Sequence, residues 1–387
     1  MVRCANKDNH LKKIVFAVCF LLAAPFAFSA VPPTSTVAQL EQLISGLQAA
    51  HKTDDEIASR LEVVRLSEQL TPETLKSLLE GHPGPRTTQQ IMILTLDSSQ
   101  MAPPAAEIPT TAAPSAAEQS ELLKKAISIA QETFSKLPKL GADKKSLRYQ
   151  NGVAYIKNTS GNGGSMSNSG GYAEIPEPIV LSQVDQETKH IVTNAGWEDS
   201  PPVYKQKDPS GPLGQIPVSV PGLPLLTVIA DMSKGTPTFV RWQTILSRET
   251  AVFAFTVPRK QSSYKILYCC FPELEHIGSG MGFSANSGTA TSFVPFKAAA
   301  GYHGELYVDV KTGLIVRLIT KAEPKITDFV HQEDIRTDYE PTVVGATTYV
   351  LPGHITILST VVPNGDSYVK FGTRRTLYDV TFSNYKP

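Results

Sequence analysis

Residues that could catalyse a reaction or bind a metal are scattered along this chain rather than grouped. The sequence has no G-x-S-x-G, which would expose a nucleophilic serine, and no H-E-x-x-H, which would place two zinc ligands on one helix. His303 stands near two glycines, and His331 precedes Glu333 and Asp334. Each position fits a solvated strand end or turn better than a base or a cation site. We therefore predict a non-enzymatic protein without a cofactor or metal.

Two cysteines, Cys269 and Cys270, are adjacent in Y-K-I-L-Y-C-C-F-P-E. Neighbours on a strand point to opposite faces, so an ordinary disulfide between them is geometrically awkward. One interpretation is a strained vicinal disulfide, and the other is one buried and one semi-exposed thiol. The spacing leaves both open.

Residues 1–29 have the layout of a secretory signal peptide. Two lysines precede an apolar run at 14–28, and Ala27 and Ser29 are small enough for the −3 and −1 positions of a cleavage site. The alternative is an uncleaved anchor, but the run is shorter than the roughly 20 residues that a membrane span needs. We predict cleavage near Ser29, export to the periplasm or beyond, and no transmembrane span in the mature chain.

The charge of the mature chain argues against a nucleic-acid partner. The full chain has 36 basic and 36 acidic residues, and residues 1–29 include four of the former and one of the latter. The mature net charge is therefore about −3, whereas binding to nucleic acid requires a clustered basic face.

The N-terminal region at 34–100 is predicted to form three or four short helices. Apolar residues recur at helical spacing, and Thr71, Pro72 and Gly81 suit the N-cap, first and last positions of one helix. The segment 87–97 fits either a helix or a strand. Together these segments predict a small helical region.

The rest of the chain is predicted to be a linker followed by a helix and a large sheet. Residues 101–117 are Pro/Ala-rich and predict a semi-rigid linker, after which 118–387 begins with a helix and turns to β-structure. Along 301–322, apolar residues alternate with mostly charged ones on both sides of a Lys-Thr-Gly turn. This alternation predicts an antiparallel sheet with one face covered and one in water. Asp309 and Arg317 are expected to pair across this hairpin.

The expected fold class is α+β: N-terminal short helices plus a large curved antiparallel sheet, an unclosed β-barrel, packed on one or two helices. The helix that ends near 137 and a helix-like segment at 222–231 are the expected covers of the apolar face.

This pattern resembles the outer-membrane lipoprotein carrier and receptor family (LolA/LolB-like) over roughly 147–385. Two stretches carry the resemblance, L-Y-V-D-V-K-T-G-L-I-V-R-L-I-T-K-A-E-P and D-Y-E-P-T-V-V-G-A-T-T-Y-V-L-P-G-H-I-T. The resemblance implies an unclosed barrel around an apolar cavity for an acyl chain or a lipid-modified polypeptide. The helical region 34–100 has no counterpart there, and the whole chain is similar to secreted bacterial proteins of unassigned function.

Two hypotheses follow. The first is an exported binding protein that holds a lipid, an acyl chain or a lipoprotein in the half-barrel cavity; the second is a cell-envelope protein-interaction module whose helices dock a partner. No functional residue is transferred from the family. Residues on the apolar side of the strands would line the cavity or else form ordinary core; they are Trp242, Phe253, Phe255, Tyr264, Ile266, Leu306, Val308 and Leu318.

Overall fold

A computed structural model gives the fold, and Ser35–Pro387 form one compact unit within it. The signal peptide predicted at 1–29 lies outside the residues that the structure describes. The described residues are 34–151, 155–157, 172–174, 181–194, 197–198, 225–233, 235, 237–245, 247–273, 292–325, 328, 330–361 and 374–387.

Six α-helices occur in the described residues, and four of them start at a Ser or Thr whose side chain caps the helix. Thr71 caps one helix, with Pro72 at its first position and Gly81 at its end, as predicted. The ambiguous segment 87–97 is helical, because Pro85 opens a helix that runs through it. The helices are α1 (Val37–Ala49), α2 (Asp54–Glu62), α3 (Pro72–Glu80), α4 (Pro85–Asp97), α5 (Ala116–Ser135) and α6 (Leu225–Met232).

Fourteen strands occur in the same residues. They are β1 (Leu140–Asn151), β2 (Tyr155–Lys157), β3 (Tyr172–Glu174), β4 (Leu181–Asn194), β5 (Trp197–Glu198), β6 (Thr238–Ile245), β7 (Arg248–Val257), β8 (Lys265–Glu273), β9 (Ser292–Ala299), β10 (Gly301–Asp309), β11 (Ile315–Glu323), β12 (Val330–Val344), β13 (Thr347–Val361) and β14 (Arg374–Lys386).

Ten of these strands form one antiparallel sheet. Its order is β5-β4-β1-β14-β13-β12-β11-β10-β7-β6, and no described strand joins the two ends. The predicted fold class, α+β with a large unclosed antiparallel sheet, is confirmed. The first long strand pairs with the last, so the two ends of the sheet-forming chain meet within the sheet. Strands β2 with β3 and β8 with β9 form two separate hairpins.

One side of the sheet, here called the inner face, carries the main apolar core. Phe253, Leu306 and Leu318 lie there and pack with Ala130 of α5 and Val228 of α6. The two predicted covering helices therefore do cover the apolar face. Each buried aliphatic side chain contributes about 1.5–3 kcal/mol, so this cluster is a major source of stability.

The opposite side, here called the outer face, carries the charged residues of the hairpin and is also buried. The expectation that this face lies in water is wrong, because Glu305 and Arg317 are only 4% and 3% exposed. The N-terminal helical region covers it. Gln69 donates to the hydroxyl of Tyr307 at 3.3 Å, and Lys321 donates to the carbonyl of Asp97 at 3.1 Å.

A bulge in β11 changes which hairpin residues share a face. Tyr307 pairs with Arg317, but Val308 pairs with Ile315, which leaves Val316 as the extra residue. Ile315 consequently joins the inner core, whereas Val316 packs on the outer face beside Tyr307. Simple alternation from the turn would have placed Val316 on the inner face, so the bulge reverses that expectation.

The helical region has its own core, and one carboxylate ties two of its helices together. Asp54, at the start of α2, accepts hydrogen bonds from the amides of Arg86 and Thr87, both at 2.9 Å, in the first turn of α4. Burial alone would raise the pKa of the Asp54 carboxyl, but these hydrogen bonds and the charge of Arg86 have the larger effect, so the pKa is lowered. Gly84 occupies the N-cap position of α4 but has no side chain to accept a hydrogen bond, so Asp54 caps this helix instead.

Gly304 provides a test of the close packing between β10 and its neighbours. A Cβ at this position would lie 1.9 Å from the carbonyl oxygen of Ile319 and 2.8 Å from the ring of Phe255. We expect Gly304→Ala to lower the free energy of unfolding by about 1–3 kcal/mol or more, because the backbone must move. Urea denaturation of purified protein measures the change.

Gly46→Ala is the matched control. Gly46 is an exposed position in α1, and a Cβ added there would have no neighbouring atom within 4 Å, so alanine should stabilise the helix by about 0.5–1 kcal/mol. If the two variants shift stability in the same direction by similar amounts, the packing described for β10 is incorrect.

Candidate functional site

A groove opens between α3 and the outer face of the sheet. Its volume is about 790 Å³, which falls in the range of roughly 300–1,000 Å³ that small-molecule sites occupy. Residues from α3, β6, β7, β11, β12 and β13 contribute. They are Pro72, Leu75, Lys76, Leu79, Glu80, His82, Ile245, Arg248, Val316, Arg317, Arg336, Asp338, Tyr339, Glu340, Pro341 and His354.

One wall of the groove is a single face of α3. Its lining residues lie at spacings of three and four, which place them on one side of the helix. Leu75 and Leu79 give this wall an apolar strip. Lys76 and Glu80 flank the strip and form an exposed i,i+4 pair with a 3.8 Å separation.

The floor of the groove is a cluster of two arginines around one carboxylate. Arg317 donates through Nε to Oδ1 of Asp338. Arg336 donates to Oδ2 of Asp338 from Nε at 3.0 Å and from Nη2 at 2.7 Å. The side chains of Arg317 and Arg336 are 4% and 9% exposed, so both positive charges are largely removed from water.

Strand register brings these residues together. Arg317 of β11 pairs directly with Asp338 of β12, and Arg336 lies two residues before Asp338 on the same face. A second bulge follows Asp338, because Asp338 pairs with His354 while the next residue pairs with Pro352. Bulges are common beside functional sites, where they redirect side chains.

The electrostatics of the floor are uneven. Burial by itself would raise the pKa of Asp338, but the guanidiniums of Arg317 and Arg336 outweigh it and hold the pKa well below its usual range. Burial lowers the pKa of Arg336, and repulsion from Arg317 lowers it further, despite Asp338. At Arg317, by contrast, burial would lower the pKa but Asp338 outweighs it and raises the pKa, so this one carboxylate compensates Arg317 more fully than Arg336.

Arg317 also contacts an aromatic ring. Its guanidinium carbon lies 5.7 Å from the centroid of the Tyr307 ring, within the range of a cation–π interaction. The hydroxyl of Tyr307 donates a hydrogen bond to Glu305 at 2.6 Å. Glu305 also accepts hydrogen bonds from Nη1 and Nη2 of Arg241, at 2.8 and 2.9 Å. This network fixes the position of the ring.

His354 lies at the edge of the same floor. Its Nε2 contacts Oδ1 of Asp379, and its Nδ1 is 4.0 Å from Asp338. The imidazole therefore stands between two carboxylates. Within the described residues, the groove lining includes no serine, threonine or cysteine beside it.

The predicted cavity-lining residues lie elsewhere. None of them lines this groove. Their cavity role stays a prediction, since they pack together in the inner core with Trp242 at its margin, where its Nε1 donates to Ala112 at 2.9 Å. The other seven are buried: Phe253, Phe255, Tyr264, Ile266, Leu306, Val308 and Leu318.

The remaining candidates from the sequence do not form a common site. Cys269 and Cys270 lie in β8, but their side chains are outside the described part of the structure, so both interpretations of the pair stay predictions. His303 contacts Glu323 at 2.8 Å at a strand surface. Glu333 contacts Tyr264 on the inner face while Asp334 contacts Lys321 on the outer face, so the two acids point apart.

Among the described residues, no group of three or more His, Cys, Asp or Glu side chains is arranged to hold a metal ion. Likewise, none of the described helices combines the length and the apolar character that crossing a membrane would require.

Sequence reasoning missed the groove residues. The signal available was R-T-D at 336–338, an arginine and an aspartate on one strand face, together with Arg317 on the preceding strand. The expected pairing of Arg317 with Asp309 across the hairpin is wrong. Asp309 instead accepts the amide of Thr312 in the turn at 2.9 Å, which leaves Arg317 for the partner strand β12.

Comparisons with known proteins give little beyond this geometry. No family model matches the chain, and no curated protein matches it. Two solved structures align over 68% of this chain and 93% of their own: MucB in complex with MucA(peri), at 10% identity and a TM-score of 0.18, and the Pseudomonas aeruginosa MucA/MucB complex, at 11% and 0.17. Superpositions this weak do not establish a shared fold.

Asp338 should be essential to the stability of the groove floor. We expect Asp338→Asn to lower the free energy of unfolding by about 3–5 kcal/mol, because two buried guanidiniums lose their carboxylate. Since the folded-state pKa of Asp338 is lowered, its stabilisation is present above its ordinary pKa and is lost as pH falls through the folded value. Urea midpoints at pH 7 and in strong acid measure both effects.

Asp143→Asn is the control for this measurement. Asp143 is an exposed carboxylate that contacts His190 and Asn384 away from the groove, so its loss should hardly change the midpoint. Equal midpoints for the two variants at pH 7 would refute the structural role assigned to Asp338.

Proposed function

We propose that this protein is a non-enzymatic binding protein that holds an acyl chain in the groove between α3 and the outer face of the sheet. The observation that carries the proposal is the groove itself, a space of about 790 Å³ with an apolar helical wall and a charged floor. We further propose, from the sequence, that the chain acts in the cell envelope after loss of residues 1–29.

The apolar surface of the groove comes from both of its sides. Leu75 and Leu79 project from α3, while Ile245 and Val316 lie on the sheet opposite them. Each methylene group removed from water by such surfaces contributes about 0.8 kcal/mol to binding. A chain of about eight buried methylenes would thus gain about 6 kcal/mol before the costs of association are subtracted.

The proposal keeps the class of ligand expected from the sequence but changes its location. The inner-face residues predicted to line a cavity contact one another closely. Phe255 and Tyr264 each meet the ring of Tyr302 edge to face, with centroids 6.1 and 5.7 Å apart. A ligand would have to displace these contacts, whereas the groove on the outer face is already open to one.

The second hypothesis, a protein-interaction module, competes for the same surface. An apolar side chain of a partner would also fit between α3 and the sheet. We favour the acyl chain because the groove is comparable in volume to small-molecule sites. The experiment below distinguishes occupancy of the groove from binding elsewhere.

The neutral dye N-phenyl-1-naphthylamine, which fluoresces in apolar surroundings, is the probe for this proposal. We expect residues 30–387 to bind it with a Kd of about 1–50 μM, as drug-sized apolar ligands of modest efficiency do. Leu79→Trp should weaken binding at least about tenfold, because the larger ring fills the groove. Fluorescence titration measures both constants.

Ser77→Trp is the matched control. Ser77 is exposed on the same helix and is absent from the groove lining, so this variant should bind the dye as the parent does. Binding that is equal in all three proteins would place the dye outside the groove, and no binding at all would reject the proposal.

A further inference from the structure

We propose that the floor of the groove is a carboxylate-binding subsite, so that the acyl ligand is a free fatty acid whose carboxylate lies between Arg317 and Arg336. The inference rests on the proposed function, because the acyl chain must occupy the groove before its head group can reach the floor.

The hydrogen-bond donors of the two arginines provide the first argument. Each guanidinium carries five N–H donors. Among the described residues, Arg317 donates only from Nε, and Arg336 donates only from Nε and Nη2, in every case to Asp338. Both arginines line the groove, and none of their nitrogens is among the described buried atoms that lack a partner, so the remaining donors are open to water or to a ligand in the groove.

Arg241 shows what a completed site looks like on the same face. Its Nη1 and Nη2 donate to Glu305, Nη2 also meets Tyr307, and its Nε donates to Gln243 at 3.0 Å. This guanidinium thus has protein partners on all three nitrogens. Arg317 and Arg336 are buried to a similar extent but have fewer partners, and they are the ones that face the groove.

The charges around the groove favour an anion at the floor rather than at the rim. Glu73, Glu80 and Glu340 are exposed, so water and salt screen their charges. Glu80 also pairs with Lys76. In the buried floor, where charges interact most strongly, two guanidiniums face one carboxylate, although Glu73 adds some attraction to Arg317.

The geometry of the floor suits a carboxylate. A guanidinium presents parallel N–H groups that match the two oxygens of a carboxylate, and two guanidiniums on neighbouring strands line the groove on either side of Asp338. The ring of Tyr307 and the carboxylate of Asp338 hold both in place before any ligand binds. Val316 adjoins Arg317 on the floor, so an acyl chain could leave the subsite directly along apolar surface.

The test compares three ten-carbon ligands that differ only in the head group: decanoate, 1-decanol and decyl phosphate. Each displaces N-phenyl-1-naphthylamine from residues 30–387 at pH 8. We expect decanoate to bind about ten- to a hundredfold tighter than 1-decanol, because its charge is hydrogen-bonded by buried guanidiniums. Raising the NaCl concentration should weaken decanoate binding slightly and leave 1-decanol unchanged.

Arg336→Gln identifies the subsite. This variant should bind decanoate and 1-decanol with similar constants, while Lys145→Gln, an exposed change outside the groove, should keep the full preference. If circular dichroism shows that Arg336→Gln is unfolded, Arg248→Gln replaces it. Arg248 lines the groove rim, and its loss should reduce the preference about two- to fivefold.

The outcomes separate the two proposals. If all three ligands displace the dye equally well, the groove binds acyl chains but the carboxylate subsite is refuted. If decyl phosphate binds much more tightly than decanoate, the floor is a phosphate site and the fatty-acid assignment fails. If no ligand displaces the dye, the acyl-binding function itself fails, and a partner protein becomes the better occupant of the groove.

Discussion

The burial of charged side chains between the N-terminal helices and the sheet is the constraint on which this structure depends. A charge removed from water costs several kcal/mol unless a counter-charge and hydrogen bonds compensate it. The charge of Arg241 is compensated by Glu305. At the C-terminal end of α4, Asp97 accepts a hydrogen bond from Arg375 at 3.1 Å, so these two charges compensate each other. These two pairs show charges that keep their partners beneath the helices.

The groove lies where this compensation is incomplete. α3 lies along the outer face without filling the space above Arg317 and Arg336, and these arginines share Asp338. Replacing such a cluster with well-packed apolar residues is often neutral or stabilising, so the cluster is weak evidence for stability alone. The proposed anionic ligand would add a second counter-charge to these two cations.

Local signals in the sequence predicted much of the fold. Thr71, Pro72 and Gly81 marked a helix correctly because capping depends on neighbouring residues alone. Alternation along 301–322 predicted the hairpin for the same reason. The alternation could not reveal the bulge at Val316 or the helices that cover the outer face, because both depend on contacts between distant segments. The pairing of Arg317 with Asp338 depends likewise on the register between β11 and β12.

The two faces of the sheet therefore differ in what they can do. The inner face is mostly apolar, apart from groups such as Glu333, and its aromatic rings meet edge to face, so binding a ligand there would require the core to rearrange. The outer face has fixed guanidiniums and an open groove, which a ligand can enter without breaking the sheet. The cost of burying these cations is met when the protein folds, so a ligand of the proposed kind would meet guanidiniums that are already in place.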